Sequence, residues 1–273
     1  MTHPMPQPIP ELGLCILSWR NHEKLRVTLD SYRRQGLFRF FSEARILFQE
    51  ATAEDFVIAE EFDLSALGLE SNVGIEQGWA YLLNHMNSRY IVFLENDCPL
   101  IEPEAVVAHE LNQGVRLLDR GIVDVYRLRS KEHPGAKFQN CTKYQRYYPV
   151  ANEPYSPSQS LMRTLRRWVR PKKAQRLIGS APYCIHDATQ RHPQLKQHTD
   201  DVIIVPSAYL NWTNQSVLFS RTWMQGVLLA RVRSHPSHRS INGFQDIEMA
   251  LNCDWWRQQA FKIGIGSGLF THL

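Results

Sequence analysis

The stretch YIVFLENDCPL, Tyr90–Leu100, carries the clearest chemical pattern in the chain. An apolar, strand-like run from Tyr90 to Leu94 stops at Glu95-Asn96-Asp97. Carboxylates at the carboxyl end of a strand project into the crevice where open α/β sheets bind ligands. Two hard oxygen donors there suit Mg²⁺ or Mn²⁺. Such an ion can bridge a diphosphate and neutralise charge as it departs. Asn, Asp and Pro equally favour a solvated turn, and this stretch alone leaves both readings open. A second pair of carboxylates, Asp246 and Glu248, lies in FQDIEMALNCDWWRQQ. Two positions apart on one helix they point roughly 200° from each other, so only one is expected to face a given site. An acid in a helix's first turn also has a plain role, complementing the helix dipole.

Other candidates are weaker. LMRTLRRWVRPKKAQR (161–176) holds seven basic residues and no acid. Leu161, Leu165, Trp168 and Val169 share one helical face, with Arg163, Arg166, Arg167 and Arg170 around the rest. That pattern fits a helix lying on an anionic membrane surface, and fits equally a solvated basic face. No RNA-binding motif accompanies the charge, and no nucleic-acid partner is expected. Cys184, His186, His192 and His198 match no standard zinc spacing. GIGSG (264–268) lacks the dinucleotide-binding spacing and has no room for a following helix; these glycines are expected to shape a turn or admit a ligand. Of Trp255 and Trp256, one is expected in the core and the other is free to stack on a sugar face.

The elements that must position these groups alternate. LGLCILSW (12–19) reads as a strand, followed by a helix capped by Asn21 and ended by Gly36. ARILFQE (44–50) reads as a second strand, 53–62 as a helix, and Asn72-Val73-Gly74 opens another helix. Tyr90–Leu94 and GIVDVYRL (121–128) complete four strands. Alternation of this kind predicts an α/β, Rossmann-like, mostly parallel sheet with helices on both faces. The strand ends to inspect are then Ser18–Asn21, Gln49–Thr52 and Glu95–Asp97. Residues 129–200 lose the rhythm and read as an irregular basic insertion. Strands return at 201–206 and 215–220, then a helix over 222–232, one over 245–259, and a strand-like end.

The chain has 273 residues, 43% hydrophobic and 21% charged, with net charge +4. That is an ordinary soluble composition, mildly basic, and suited to an anionic ligand. Five scattered cysteines favour a reducing compartment. No apolar run reaches the ~18 residues of a membrane helix. MTHPMPQPIP is no signal peptide and is expected to be an extended, poorly ordered arm. The expectation is one compact domain: a flexible arm (1–11), two ordered halves (12–128 and 201–273) and the insertion (129–200) between them. The expected location is cytoplasmic, with 161–176 allowing peripheral membrane contact.

Taken in order, the motifs resemble a glycosyltransferase of the GT-A fold, close to family 2. ILSWRNHEKLRVTLDSYRRQ looks like that family's first strand, nucleotide loop and first helix. ILFQEATAED looks like its second strand, SNVGIEQGWAYLL like its Asn-x-Gly segment, and YIVFLENDCPLIEPEAV like its Asp-x-Asp strand. FQDIEMALNCDWWRQQ looks like the base-bearing helix, and GLFTHL like the closing segment with a metal-binding His. The match covers roughly 12–128 and 201–273.

The resemblance implies that Ser18, Arg20 and Asn21 lie at the donor-nucleotide loop and that Glu50 accepts a hydrogen bond from a uracil-like base. Asn72, Gly74 and Asn96 would line the nucleotide-sugar pocket. Asp97 would bind the metal, with Glu95 on the metal or ribose and His272 as a further ligand, favouring Mn²⁺ over Mg²⁺. Asp246 would be the general base, with Glu248 as its rival. Glu replaces the family's first Asp at position 95, and Gln245-Asp246 replaces its usual Glu-Asp. The implied reaction moves a sugar from a UDP-sugar to a hydroxyl of a glycan or lipid-linked glycan, with inversion. A nucleotidyltransferase, or a non-catalytic nucleotide- or anionic-surface-binding module, is the alternative. The first would need a Gly-rich phosphate loop, which SWRNHEK lacks.

Overall fold

A computed structural model describes residues 7–136, 138–150, 156–241 and 243–273. The first half is built as the alternation predicts. Strand β1 (Leu12–Trp19) leads into α1 (His22–Arg34), then β2 (Glu43–Gln49), α2 (Ala53–Glu61), β3 (Ser65–Leu69), α3 (Gly74–Asn84) and β4 (Tyr90–Glu95). Then come α4 (Glu104–Asp119) and β5 (Val125–Arg129). β3 and α4 add to the expected elements, and β5 starts later than GIVDVYRL suggested. The reason lies at Asp124, whose carboxylate accepts the Lys262 backbone N–H at 2.7 Å and ends the preceding loop.

Local chemistry sets the boundaries. Asn21 caps α1 through its side chain, accepting from the Lys24 N–H. Thr52 and Asp55 form a reciprocal capping box at α2. Of the N-terminal arm expected over 1–11, residues 1–6 lie outside the described residues. Ile9 is buried, and its N–H bonds to the Phe40 carbonyl.

The insertion is richer in helix than its composition suggests: α5 (Asn140–Gln145), α6 (Pro157–Val169), α7 (Pro171–Ile178) and α8 (Ala188–Arg191). α6 buries no residue, leaving Leu161 72% and Trp168 80% exposed. β6 (Lys196–Gln197), β7 (Ile203–Pro206) and β8 (Val217–Ser220) follow. A continuous helix then runs through α9 (Arg221–Trp223), a π turn (Met224–Leu229) and α10 (Ala230–Ser234). A small hairpin, β9 (Ser240–Ile241) and β10 (Phe244–Gln245), precedes α11 (Ile247–Leu251), α12 (Asp254–Gln259) and β11 (Lys262–Phe270). The single helix expected over 245–259 is broken in two. Asn252 causes the break: its amide accepts the Trp212 N–H and donates to the Trp212 carbonyl, at 2.6 and 3.0 Å.

The main sheet has nine strands in the order β3-β2-β1-β4-β8-β5-β11-β7-β6. Its first four are mutually parallel, and β5 runs parallel to β11. β8 and β7 run against their neighbours. Alternate residues of one strand enter different cores. Cys15, Leu17, Ile91 and Phe93 pack on one face, and Leu14, Ile16, Val92 and Leu94 on the other. This is the period-two signature of a sheet covered on both sides. β1 sends its next strand to one side and borders β4 on the other. The crevice beyond the carboxyl ends of β1 and β4 is therefore a switch point of the kind that binds ligands.

Candidate active site

Glu95 ends β4 opposite Leu17 of β1, and the chain then turns through Asn96 and Asp97. Asn96 ties the two strand ends together, its amide donating to the Arg20 carbonyl at 3.0 Å and to Ser18 Oγ at 3.4 Å. The same turn is laced to the last strand. Ile101 N–H bonds to the Leu269 carbonyl, Thr271 N–H to Pro99 and Leu273 N–H to Asp97, each at 3.0 Å. This antiparallel lacing carries buried His272 to Asp97, Nε2 to Oδ2 at 3.4 Å. Gly135 lets the neighbouring loop close over it: its φ is +78°, a Cβ there would collide with the His272 backbone, and the adjacent Ala136 N–H bonds to the His272 carbonyl at 2.8 Å.

Glu95, Asp97 and His272 offer donor atoms that all lie within 4.8 Å of one another. Two carboxylate oxygens and an imidazole nitrogen suit a divalent cation, Mn²⁺ better than Mg²⁺. Electrostatics fit the same group. Burial, then the nearby charges of Asp97 and Glu248, push the Glu95 carboxyl up to about 8, and Arg129 offsets only the smallest part. The cluster thus holds more negative charge than the protein neutralises, a condition a bound cation relieves.

The cluster borders a cavity of about 680 Å³ lined by Asn72, Gly74, Glu95, Asn96, Asp97, Asp246 and Glu248, among others. Asn72 and Gly74 form one wall through a tight turn in which Asn72 Oδ1 accepts the Gly74 N–H at 2.8 Å. Gln49, at the end of β2, fixes this turn by accepting the Val73 N–H at 2.9 Å.

Asp246 and Glu248 both line the cavity, contrary to the helical-period expectation that only one would. Asp246 is the N-cap of α11 rather than a residue within its period, with extended backbone, φ −79° and ψ 105°. Its Oδ1 accepts the Met249 N–H at 3.1 Å, the cap role, while Oδ2 lies 3.9 Å from Arg239 Nε. Glu248 accepts the Asn214 N–H at 3.1 Å.

Four expected donor-site residues stand apart from the cavity lining. Ser18 is fully buried, and Asn21 is committed to capping α1. Glu50 takes the Trp19 indole N–H and the Arg20 Nε–H, both at 2.9 Å, and those bonds hold its carboxyl below the usual range. Arg20 is mostly exposed and paired with Glu50 at 2.7 Å. Trp19 and Gln49, their sequence neighbours, are the side chains that reach the lining.

Residues that sequence reasoning missed also form the walls: Arg176, Asn211, Asn214, Arg239 and Phe244. Arg176 comes from α7, within the basic stretch 161–176, and Phe244 from the β9–β10 hairpin; Asn211, Asn214 and Arg239 come from connecting segments without periodicity, where no local pattern marks them. Neither tryptophan of the α12 pair lines the cavity. Trp256 is fully buried, and Trp255 packs on Phe261 and under Arg231. The GIGSG glycines lie inside β11, where Gly264 makes room for the Tyr126 ring and Gly266 for the Tyr126 hydroxyl and the Glu110 carboxylate rather than for a ligand.

No protein-family model and no curated protein matches the chain. Solved structures similar to it include TarS 1-349 of S. aureus, with TM-score 0.48 and 11% identity over 96% of this chain and 60% of that one. Glucosyl-3-phosphoglycerate synthase from Mycobacterium tuberculosis, in complex with Mn²⁺, uridine diphosphate and glucosyl-3-phosphoglycerate, gives 0.47 and 12% over 96% and 71%. The mannosyltransferase PcManGT from Pyrobaculum calidifontis, with GDP-Man and Mn²⁺, gives 0.39 and 12% over 52% and 41%. The chain spans 60% of the length of TarS 1-349.

Proposed function

We propose that the chain is a metal-dependent glycosyltransferase that moves a sugar from a nucleoside diphosphate donor, UDP-linked, to a hydroxyl of a glycan or lipid-linked glycan, with inversion. One observation carries the reading. A cluster of two carboxylates and an imidazole borders the same cavity as two further carboxylates, Asp246 and Glu248. Asp97, His272 and Glu95 would hold the cation, Mn²⁺ or Mg²⁺. When bound, it supplies charge to stabilise a departing diphosphate. Asn72, Gly74 and Asn96 bound the donor space.

Asp246 acts as the base, taking the proton from the acceptor hydroxyl as its oxygen attacks the anomeric carbon. Its cap bond to Met249 uses one oxygen and fixes the orientation of the other. Arg239 Nε lies 3.9 Å from Oδ2. Glu248 stands on the same cavity and is the competing assignment.

Among the described residues no helix is long and apolar enough to cross a membrane. The exposed apolar stripe of α6, flanked by Arg163, Arg166 and Arg170, supports peripheral contact with an anionic membrane, suited to a lipid-linked acceptor.

A donor screen reading diphosphate release, followed by NMR of the anomeric configuration of the product, tests the reading. Normal donor binding with no UDP released in the presence of any acceptor would leave only a nucleotide-binding module.

A further inference from the structure

A second cavity, about 510 Å³, adjoins the first. Arg176, Asn211, Gln215, Glu248 and Asn252 line both, so the two spaces share a wall. Its charge is opposite to that of the metal cluster. Arg127, Arg129, Lys143, Lys173 and Arg176 line it, against a single carboxylate, Glu248.

The three arginines are held but not neutralised, while Lys143 is exposed and Lys173 half-buried. Arg127 is 7% exposed, and its guanidinium donates to the Asn211 carbonyl. Arg129 donates to the carbonyls of Pro134 and Ala136 and to the side-chain oxygen of Gln215. Arg176 donates to the Lys172 carbonyl. Every one of these acceptors is a neutral oxygen. Among the described residues, none of the five makes an ion pair with a carboxylate at 4.0 Å or less. Arg129 feels Asp97 only at longer range, and burial holds its guanidinium below its usual basicity. Buried charges are normally paired, because desolvation without a counter-charge is costly. Gathering five cations around one carboxylate adds mutual repulsion. A lone carboxylate ligand would relieve little of it; a phosphate group, with up to two negative charges and several acceptor oxygens, suits both the forked guanidinium groups and the ammonium groups.

We infer that this second cavity binds a phosphate group of the acceptor, so that the enzyme's acceptor is a phosphorylated sugar, polyol or lipid rather than a neutral glycan. The word acceptor rests on the transferase reading; the anion site does not. The geometry gives the order of parts: donor and cation in the first cavity, phosphate in the second, and Glu248 on the wall between them.

The test uses isothermal titration of the full chain with glycerol 3-phosphate, with glycerol as the neutral control, while UDP and Mn²⁺ are saturating. Glycerol 3-phosphate should bind and glycerol should not. The double variant Lys143→Gln/Lys173→Gln, whose sites lie away from the donor cavity, should weaken that binding about tenfold or more. Its affinity for UDP with Mn²⁺ should be unchanged, which also shows that it folds. Glycerol binding as tightly as glycerol 3-phosphate, failure of both glycerol 3-phosphate and phosphatidic acid to bind, or indifference of the observed binding to the double variant would each overturn the inference. A second arm uses phosphatidylcholine vesicles with and without phosphatidic acid. Capture by phosphatidic acid that is lost in the double variant, without glycerol 3-phosphate binding, assigns the phosphate to a lipid headgroup and keeps the inference. If glycerol 3-phosphate binds as described but UDP does not bind at all, the donor reading fails and the anion site stands.

Discussion

Replacing Asp97 with Asn tests the metal cluster through two effects of opposite sign. The donor atoms of Glu95 and Asp97 lie within 4.8 Å of each other. At an effective dielectric of about 20 two unit charges at that separation repel by roughly 3.5 kcal/mol, and exposure of Asp97 to solvent reduces this to about 1–2 kcal/mol. In EDTA and above about pH 8, where Glu95 is charged, the substitution should therefore stabilise the protein. About 1 kcal/mol corresponds to a Tm rise of about 2–4 °C for a chain of this size. The Leu273 N–H bond to residue 97 uses the backbone carbonyl and survives the change. With Mn²⁺ the order should reverse. At a concentration about 100 times Kd, a bound ion stabilises the native state by about 2.7 kcal/mol, a Tm rise of roughly 5–10 °C. Losing one charged ligand is worth about 1.5–3 kcal/mol, so the variant should lose most of that shift at the same Mn²⁺ concentration. By linkage, Mn²⁺ should raise wild-type UDP affinity and leave the variant's nearly unchanged. Differential scanning fluorimetry with EDTA, Mn²⁺ and Mn²⁺ plus UDP reads all of these quantities. Equal Mn²⁺ shifts in both proteins would refute the metal cluster. A lower Tm for the variant in EDTA would show Asp97 to be a structural partner of His272 instead.

Asp246→Asn keeps a competent N-cap, since Asn caps as well as Asp, so Tm should hold while sugar transfer falls by about 10²–10⁴-fold; full turnover would pass the base role to Glu248, with Glu248→Gln as the paired test. Leu165→Glu/Trp168→Glu should abolish co-sedimentation with anionic vesicles and leave UDP affinity alone; unchanged co-sedimentation would remove the membrane role of α6. His192 is buried against the Tyr144 hydroxyl at 2.7 Å, and burial holds its basicity below the usual value. The unfolded chain therefore takes up this proton first, so stability should fall as pH drops below about 6.5, by no more than one proton's slope, about 1.4 kcal/mol per pH unit. Urea melts of wild type and His192→Gln across that range check this, and parallel pH profiles would sink it. Asn252→Ala removes both bonds to the Trp212 backbone and should cost about 1–3 kcal/mol in the same melts; a smaller loss would mean that another feature breaks the helix at 252.

What was legible in the sequence was whatever repeats with a period or ends a strand. The alternation of β1 and β4 residues between two cores follows from their apolar runs, and the parallel order of the first strands follows from the helices between them. Glu95 and Asp97 stood out because carboxylates abruptly end such a run. Asp246 and Glu248 were legible as candidates, but their shared orientation was not. Helical periodicity applies only within a helix, and Asp246 sits one residue outside it as the cap. His272 depended on contacts across the chain. Its place beside Asp97 comes from the lacing of 269–273 against 97–101, long-range pairing that no short window can show.

The second cavity had a signal that composition obscured. VYRLR is a strand with both neighbours in place, β8 on one side and β11 on the other. In such a central strand a polar residue must have a reason to be inside. The period of two puts Arg127 and Arg129 on one face, with Tyr126 and Leu128 on the opposite face in the core. Two arginines on one side of a central strand cannot both be solvated surface, so they must meet a counter-charge, a polar cavity or a ligand. Neutral carbonyls and Gln215 meet them here. That hydrogen-bonds the guanidinium groups but leaves their charge in place, and it is this residual charge, beside the metal cluster, that a phosphate on the acceptor would satisfy.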